Sequence, residues 1–234
     1  MLDLLAPPSC LVCGKRYRYG SRPLHELAHA GELCPRCRAA CAPAHHPNRC
    51  SKCSIPLPRE ITVCERCRRE SFAFDRAVAA TRYDATAALV VQRFKFGRHV
   101  SLAREMAALM APLVAGSAKP GSMLVPAPSR PATVRRRGFS GAELLARHIA
   151  TLTGYPVARA LRLARSRSQK SLSYEARREN LRNAVRLTGA SIGTAPVVVV
   201  DDVLTTGTTA DACARRLKQA GAAQVIVVTF AIEY

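Results

Sequence analysis

The sequence predicts an α/β protein: a parallel-sheet domain preceded by a small cysteine-rich domain that depends on metal to fold. Three observations lead there. Val197–Val200 is an unbroken run of four valines, the pattern of a strand covered on both faces, as in a parallel sheet. From residue 72 onward, strand-like segments alternate with helix-like ones, which implies a doubly wound sheet with ligands beyond the C-terminal ends of its strands. Before residue 71, eight of the ten cysteines fall into C-x-x-C pairs. The chain of 234 residues therefore divides into a small domain, 1–70, and a larger one, 71–234.

Taken in order, Met1–Pro8 is apolar but short, carries Asp3 and lacks a basic start, so it does not read as a secretory leader. No later segment approaches 18 unbroken apolar residues, and no membrane span is expected. A cytoplasmic location follows as the expectation, and there cysteines bind metal more often than they form disulfides. The four pairs are Cys10/Cys13, Cys34/Cys37, Cys50/Cys53 and Cys64/Cys67. Each presents two thiolates on one tight turn, and two pairs complete a tetrahedral zinc site. Pairing in sequence order gives two structural zinc sites, with intervening loops of 20 and 10 residues. The spacing alone leaves an interleaved pairing open, and an iron–sulfur cluster is the main rival to zinc. Large apolar side chains are few in this stretch, so metal would supply the folding energy, on the order of 10 kcal/mol or more per site. Cys41 is left over as a free thiol or alternative ligand. His25-Glu26-Leu27-Ala28-His29 matches the H-E-x-x-H pattern of zinc proteases, but that chemistry needs a long helix, a third ligand and a cleft. A polar helical turn is the better reading.

In the larger domain, Phe74–Tyr83 reads as a strand, Thr86–Arg93 as a helix with Lys95 at its end, and Ser101–Val114 as a second helix. Residues 115–121 form a turn and Met123–Val125 a short buried strand. The proline-stiffened turn that follows runs from Val125 to Phe139, carrying Ala127, Pro128, Arg130, Arg135, Arg136 and Arg137. It leaves a strand directly, so it sits at the ligand edge of the sheet, and its arginines offer forked donors suited to a pyrophosphate. Glu143-Leu144-Leu145 lies in a helix stopped by Gly154. Arg165–Arg186 begins loop-like and then becomes helical. It reads either as an arm that folds over a substrate, with Gln169, Arg177 and Asn180 as polar contacts, or as a surface helix. Between Arg130 and Arg186 there are 14 Lys+Arg against 3 Asp+Glu, within a net charge of +20. Anionic ligands or partners are expected. Arginine outnumbers lysine 30 to 6, a bias that explains the abundance of arginine but not its clustering.

After the valines come Asp201 and Asp202, which are expected to end the strand, and then Thr205-Thr206-Gly207-Thr208-Thr209. Ala210–Ala220 reads as a helix closed by Gly221, with Cys213 as a packing residue. Such a turn aims backbone N–H groups and the positive end of a helix dipole at one point, a ready anion site. Four threonine hydroxyls add donors, and Gly207 lets the backbone approach closely. Carboxylates beside a bare phosphate would repel it by about 1 kcal/mol per pair at ~4 Å even in water. They make sense if the ligand has a diol at one end and a phosphate at the other, as ribose 5-phosphate does, with Mg²⁺ helping to hold acids and diol together. Gln224–Ile232 gives the last strand. No Gly-Lys-Thr of the Walker type occurs, which argues against a P-loop hydrolase.

The Asp-Asp-x-x-Thr-Thr-Gly-x-Thr stretch resembles the motif with which type I phosphoribosyltransferases bind 5-phosphoribosyl-1-pyrophosphate (PRPP). Taken with the cysteine pairs, Arg137-Gly138-Phe139-Ser140-Gly141 and the Gln169, Leu172, Arg177, Asn180 pattern, the whole chain resembles the ComF family, which joins a double zinc ribbon to a phosphoribosyltransferase-like domain. The family pattern reads Asn-Gln where this chain has Ser140-Gly141. The resemblance implies PRPP and Mg²⁺ binding. It further implies a role in natural transformation, with single-stranded DNA and competence-machinery proteins as partners. In the enzyme reading, Asp201, Asp202 and Arg137 are catalytic, since transfer from PRPP makes the sugar cation-like while charge builds on the leaving pyrophosphate. Thr205, Thr206, Gly207, Thr208 and Thr209 take the 5-phosphate, and Ala127, Pro128, Arg130, Arg136 and Arg137 lie along the pyrophosphate. The alternative is a non-catalytic zinc protein that binds single-stranded nucleic acid and uses the phosphoribosyl ligand as a regulator. With 5% aromatic residues and no tryptophan, it has few stacking platforms.

Overall fold

Four parallel strands form the central sheet of the computed structural model, which describes residues 9–17, 32–42, 48–97, 99–164 and 174–234. They are β1 (Arg76–Arg82), β2 (Met123–Pro126), β5 (Val197–Leu204) and β6 (Val225–Ile232), in the order β1-β6-β5-β2. All eight residues of β6 are buried, as are the four valines of β5, the two-faced cover that their apolar runs require. Leu124 extends the sheet by one rung: its N–H donates to Pro156 O (2.8 Å) and its carbonyl accepts from Ala158 N–H (2.8 Å). β3 (Leu161–Leu163) and β4 (Val185–Leu187) form a separate antiparallel pair.

Side-chain alternation along the strands sorts the core into two layers. Val198 and Val200 face α3 (Ala85–Phe96), α4 (Leu102–Ser117) and α6 (Gly141–Thr153), packing in one cluster with Phe94, Met106, Leu145 and Ile149. Val197 and Val199 face α8 (Thr208–Gln219), in a second cluster with Cys213 and Leu217. The remaining helices are α1 (Pro35–Ala40), α2 (Glu65–Arg69), α5 (Pro131–Arg137) and α7 (Tyr174–Ala184). α3 starts at Ala85 because the Asp84 carboxylate accepts from Ala87 N–H (2.9 Å), a side-chain cap the hydrophobic period does not reveal.

The cysteine-rich segment grips β1 from both sides. Cys10, Cys34, Cys37 and Cys41 belong to the core layer that contains α3 and α4, and Arg38 of α1 makes an ion pair with the buried Glu105 of α4. Cys50, Cys53 and Cys64 belong to the opposite layer, beside Phe72 and Phe74. Ala77 N–H of β1 donates to Lys52 O (2.7 Å), so an edge strand that would otherwise expose its backbone is covered.

Two expectations about local structure change. The arginine-rich stretch after β2 is not a turn throughout: Pro131 at the first helical position starts α5, and Gly138, at φ 87°, ends it. β5 does not stop at the two acids but runs through them to Leu204. Met1–Pro8, the His25–His29 motif, Gln169 and Leu172 lie outside the described residues, as does the side chain of Arg177. Among the described residues no helix is long and apolar enough to cross a membrane.

Candidate functional site

The cysteines settle into two groups in sequence order, Cys10/Cys13/Cys34/Cys37 and Cys50/Cys53/Cys64/Cys67, with the ligand atoms of each group within 4.8 Å of one another. Cys13 and Cys34 sulfurs are 3.8 Å apart, and those of Cys53 and Cys64 3.7 Å. A tetrahedron with Zn–S bonds of ~2.3 Å has edges of ~3.8 Å, so the thiols fit zinc. Backbone donors support thiolates: Val12 N–H points at Cys10 Sγ, Cys64 N–H at Cys50 Sγ and Cys67 N–H at Cys64 Sγ, each at 3.4 Å. The Cys67 thiol, against opposing burial, draws Cys53 down to about 5. Cys41 belongs to neither group; it is fully buried, and burial, aided by Asp84, pushes its thiol up to about 12. Cys213 is likewise fully buried, on the core face of α8.

At the C-terminal edge of the sheet, β5 passes into the threonine loop and then α8. Gly207 caps the helix in the left-handed conformation, φ 78°, and a Cβ there would sit 2.9 Å from Phe72 Cε1. Both facts favour glycine. The N-cap Gly207 gives α8 no side-chain cap, and Thr208 N–H donates to Thr206 Oγ1 (3.4 Å); the first-turn amides after Thr208 are the ones an anion would take. Thr206 and Thr208 hydroxyls lie 2.9 Å apart at the mouth. The concavity formed here is lined by Ala127 at the end of β2, by Asp201, by all of Thr205–Thr209, and by Val199, Val227 and Thr229 beneath. Ala127 is held in place by its N–H donating to Val200 O (2.9 Å).

The two acids do not act alike. Because β5 continues through them, they project to opposite faces. Asp201 borders the concavity, and one of its carboxylate oxygens accepts from Asp202 N–H (2.8 Å). Burial first, then the adjacent Asp202 carboxylate, raise the Asp201 carboxyl to about 7. Asp202 turns toward α3 and α6, where Lys95 Nζ pairs with it at 2.7 Å and a Cβ on Gly141 would lie 3.7 Å from Oδ2.

Of the other sequence candidates, only Ala127 joins the threonines. Pro128 is half-buried beside it, while Arg130, Arg135 and Arg136 are exposed on and before α5. The Arg137 guanidinium lies 5.0 Å from the centroid of the Phe96 ring, with its buried Nε unpaired. Ser129 and Ser140 hydroxyls, 3.2 Å apart, tie the proline turn to the start of α6. Asn180 sits half-buried on α7. Glycine at 141 fits its surroundings, since a Cβ there would come 3.0 Å from Phe94 Cε1.

Several residues at the site escaped sequence reasoning. Lys95 was legible only as the end of a helix. Arg66 of α2 donates to Thr205 O (2.6 Å) across 139 positions. Asp211 of α8 is fully buried, accepting from Ala73 N–H (2.8 Å), Arg182 Nη2 (2.8 Å) and Arg215 Nε (3.0 Å). Only Arg215, four residues from Asp211 on α8, is linked by the helical period; the other partners lie far apart in sequence.

Comparison with known proteins agrees with this arrangement. Residues 1–68 match the family model described as a double zinc ribbon domain, and residues 132–232 the one described as a phosphoribosyl transferase domain. The chain is 31% identical over 233 residues to the DNA utilization protein YhgH of Salmonella typhi, covering 96% of each. It is 27% identical over 188 residues to Competence protein F of Haemophilus influenzae, covering 76% of this chain and 82% of that one. Among solved structures, a purine phosphoribosyltransferase from Pyrococcus horikoshii Ot3 aligns with 56% of this chain and 72% of that one, at 16% identity and a TM-score of 0.37.

Proposed function

The chain belongs to the ComF family, and on that premise we propose that it binds PRPP together with Mg²⁺ and serves natural transformation. One observation carries the ligand assignment: an uncapped helix N-terminus, a left-handed glycine and four threonines face a single concavity that a carboxyl group also borders. The 5-phosphate takes the amides and hydroxyls of Thr205–Thr209. The ribose diol falls to the acidic end, where Asp201 accepts its hydroxyls and the Lys95–Asp202 pair holds β5 against α3. Mg²⁺, when bound, adds positive charge that favours the ionised form of Asp201 and neutralises pyrophosphate. Arg130 caps α5 and Arg136 and Arg137 lie in its last turn, and this assignment gives them the pyrophosphate. If transfer takes place, their part is to stabilise charge on the departing pyrophosphate.

The net charge of +20 and the exposed arginines of α5 favour a second reading, a non-catalytic zinc protein that binds single-stranded nucleic acid, with competence-machinery proteins as its other partners. Its signature would be an affinity that falls steeply with salt. Pyrophosphate release from PRPP, assayed against a panel of nucleobases, separates the two. Base-dependent release supports transfer, whereas PRPP binding without release by any base supports the regulator reading. Absence of PRPP binding contradicts the ligand assignment itself.

A further inference from the structure

The second cysteine group touches the threonine loop at both of its shoulders. Arg66 lies between Cys64 and Cys67 on α2, and its Nη1 donates to Thr205 O at 2.6 Å. At the other shoulder, the Phe72 ring forms the floor under Gly207 and stacks on Phe74, with centroids 4.8 Å apart. Lys52, between Cys50 and Cys53, places its ammonium 5.6 Å from the Phe74 centroid and its carbonyl on Ala77 N–H. Of the two knuckles, the Cys64/Cys67 one reaches the loop directly through Arg66, while Lys52 of the other holds Phe74 and β1.

We propose that Arg66 is a positioning residue for the phosphate loop, and that metal at Cys50, Cys53, Cys64 and Cys67 keeps it in place. The inference rests on reading that loop as a phosphate site. A carbonyl oxygen turned into an anion site would repel the ligand. Arg66 holds the Thr205 carbonyl on the ribbon side, and because a trans peptide is planar, the Thr206 N–H then points away from the ribbon. α2 has five residues, too few to be stable alone. Its first turn is built around Cys64 Sγ, which accepts from Cys67 N–H. Releasing metal therefore releases Arg66. By linkage, phosphorylated ligand must also tighten metal at this group and not at the Cys10/Cys13/Cys34/Cys37 group.

The test uses the full-length zinc-loaded protein and three variants: Arg66→Ala, Arg66→Lys and, as a control on the same short helix, Arg68→Ala. Amide hydrogen exchange of residues 205–209 is measured without ligand, and PRPP–Mg²⁺ binding by calorimetry. Arg66→Ala is expected to speed exchange in the loop and weaken PRPP about tenfold, the scale of one hydrogen bond from a charged donor. Its zinc content should equal that of wild type. Arg66→Lys should recover part of both losses, and Arg68→Ala should match wild type. Wild-type exchange in Arg66→Ala would overturn the proposal. So would zinc loss in that variant, because Arg66 would then serve the metal and not the loop. If wild type binds no PRPP, the phosphate reading falls on its own, and the exchange data still decide the role of Arg66.

Discussion

Replacing Asp201 with asparagine should make the protein more stable at pH 8 and flatten its stability profile between pH 4 and pH 7. The carboxyl is raised from 3.8 to about 7 by burial and by Asp202. Between those values the native state holds a proton that the unfolded chain has released. The Asp201 contribution to wild-type stability is therefore full below pH ~4 and declines as pH rises to about 7. At 1.36 kcal/mol per pH unit, the interval corresponds to about 4 kcal/mol as an upper bound, and to about 2–4 kcal/mol once the coupling to Asp202 and Lys95 is shared. Asparagine keeps the acceptor for Asp202 N–H, 2.8 Å away, but carries no charge at any pH. Denaturant unfolding at half-unit pH steps measures the slope directly. A variant whose slope between pH 4 and pH 7 equals that of wild type would refute the reasoning. Ligand binding should move the other way, because the neutral amide gives up the charge that favours Mg²⁺.

Gly207→Ala should cost about 2–4 kcal/mol and abolish binding of phosphorylated ligand, since it combines a left-handed backbone with a collision against Phe72; chemical denaturation and calorimetry report the two effects. Asp211→Ala should destabilise by about 3 kcal/mol by leaving Arg182 and Arg215 without their buried partner. In wild type, Arg215, Ala73 and Arg182 overcome the opposing effect of burial and hold the Asp211 carboxyl low. Its contribution is thus present at neutral pH and lost as pH falls below the ordinary carboxylate range, a slope missing in the variant. Chelation should release about two zinc ions per chain, one from each four-cysteine group, and lower the unfolding temperature, because cysteines of both groups sit in the sheet's two core layers. Iron in elemental analysis would contradict the assignment.

What the sequence made legible was whatever is written locally. Four consecutive valines announce a doubly covered strand, C-x-x-C pairs announce tetrahedral thiolate sites, and a Thr/Gly turn after the strand announces the start of a helix. The pairing order of the cysteines was open in sequence because spacing constrains each knuckle and not its mate; packing on opposite faces of the sheet resolves it. The strand-ending role given to Asp201 and Asp202 failed because β5 is paired on both sides there, and backbone pairing outweighs the low strand preference of aspartate. Extending the strand sends the acids to opposite faces, which a strand ending at Val200 would not do. Arg137 reads as part of a loop, yet Pro131 nucleates a helix that ends with it, its guanidinium over Phe96. Arg66 and Lys95 had no local signature, since each acts on a partner brought close only by the tertiary fold; Asp211 had one in Arg215, four residues on, but not in Ala73 or Arg182.

The most direct trial of the account is a crystal structure of the zinc-loaded protein grown with PRPP and Mg²⁺. It should place the 5-phosphate against the amides of Thr206–Thr209 and the ribose hydroxyls beside Asp201. Phosphoribosyl density bound elsewhere on the molecule, or a threonine loop left empty at saturating ligand, would contradict it.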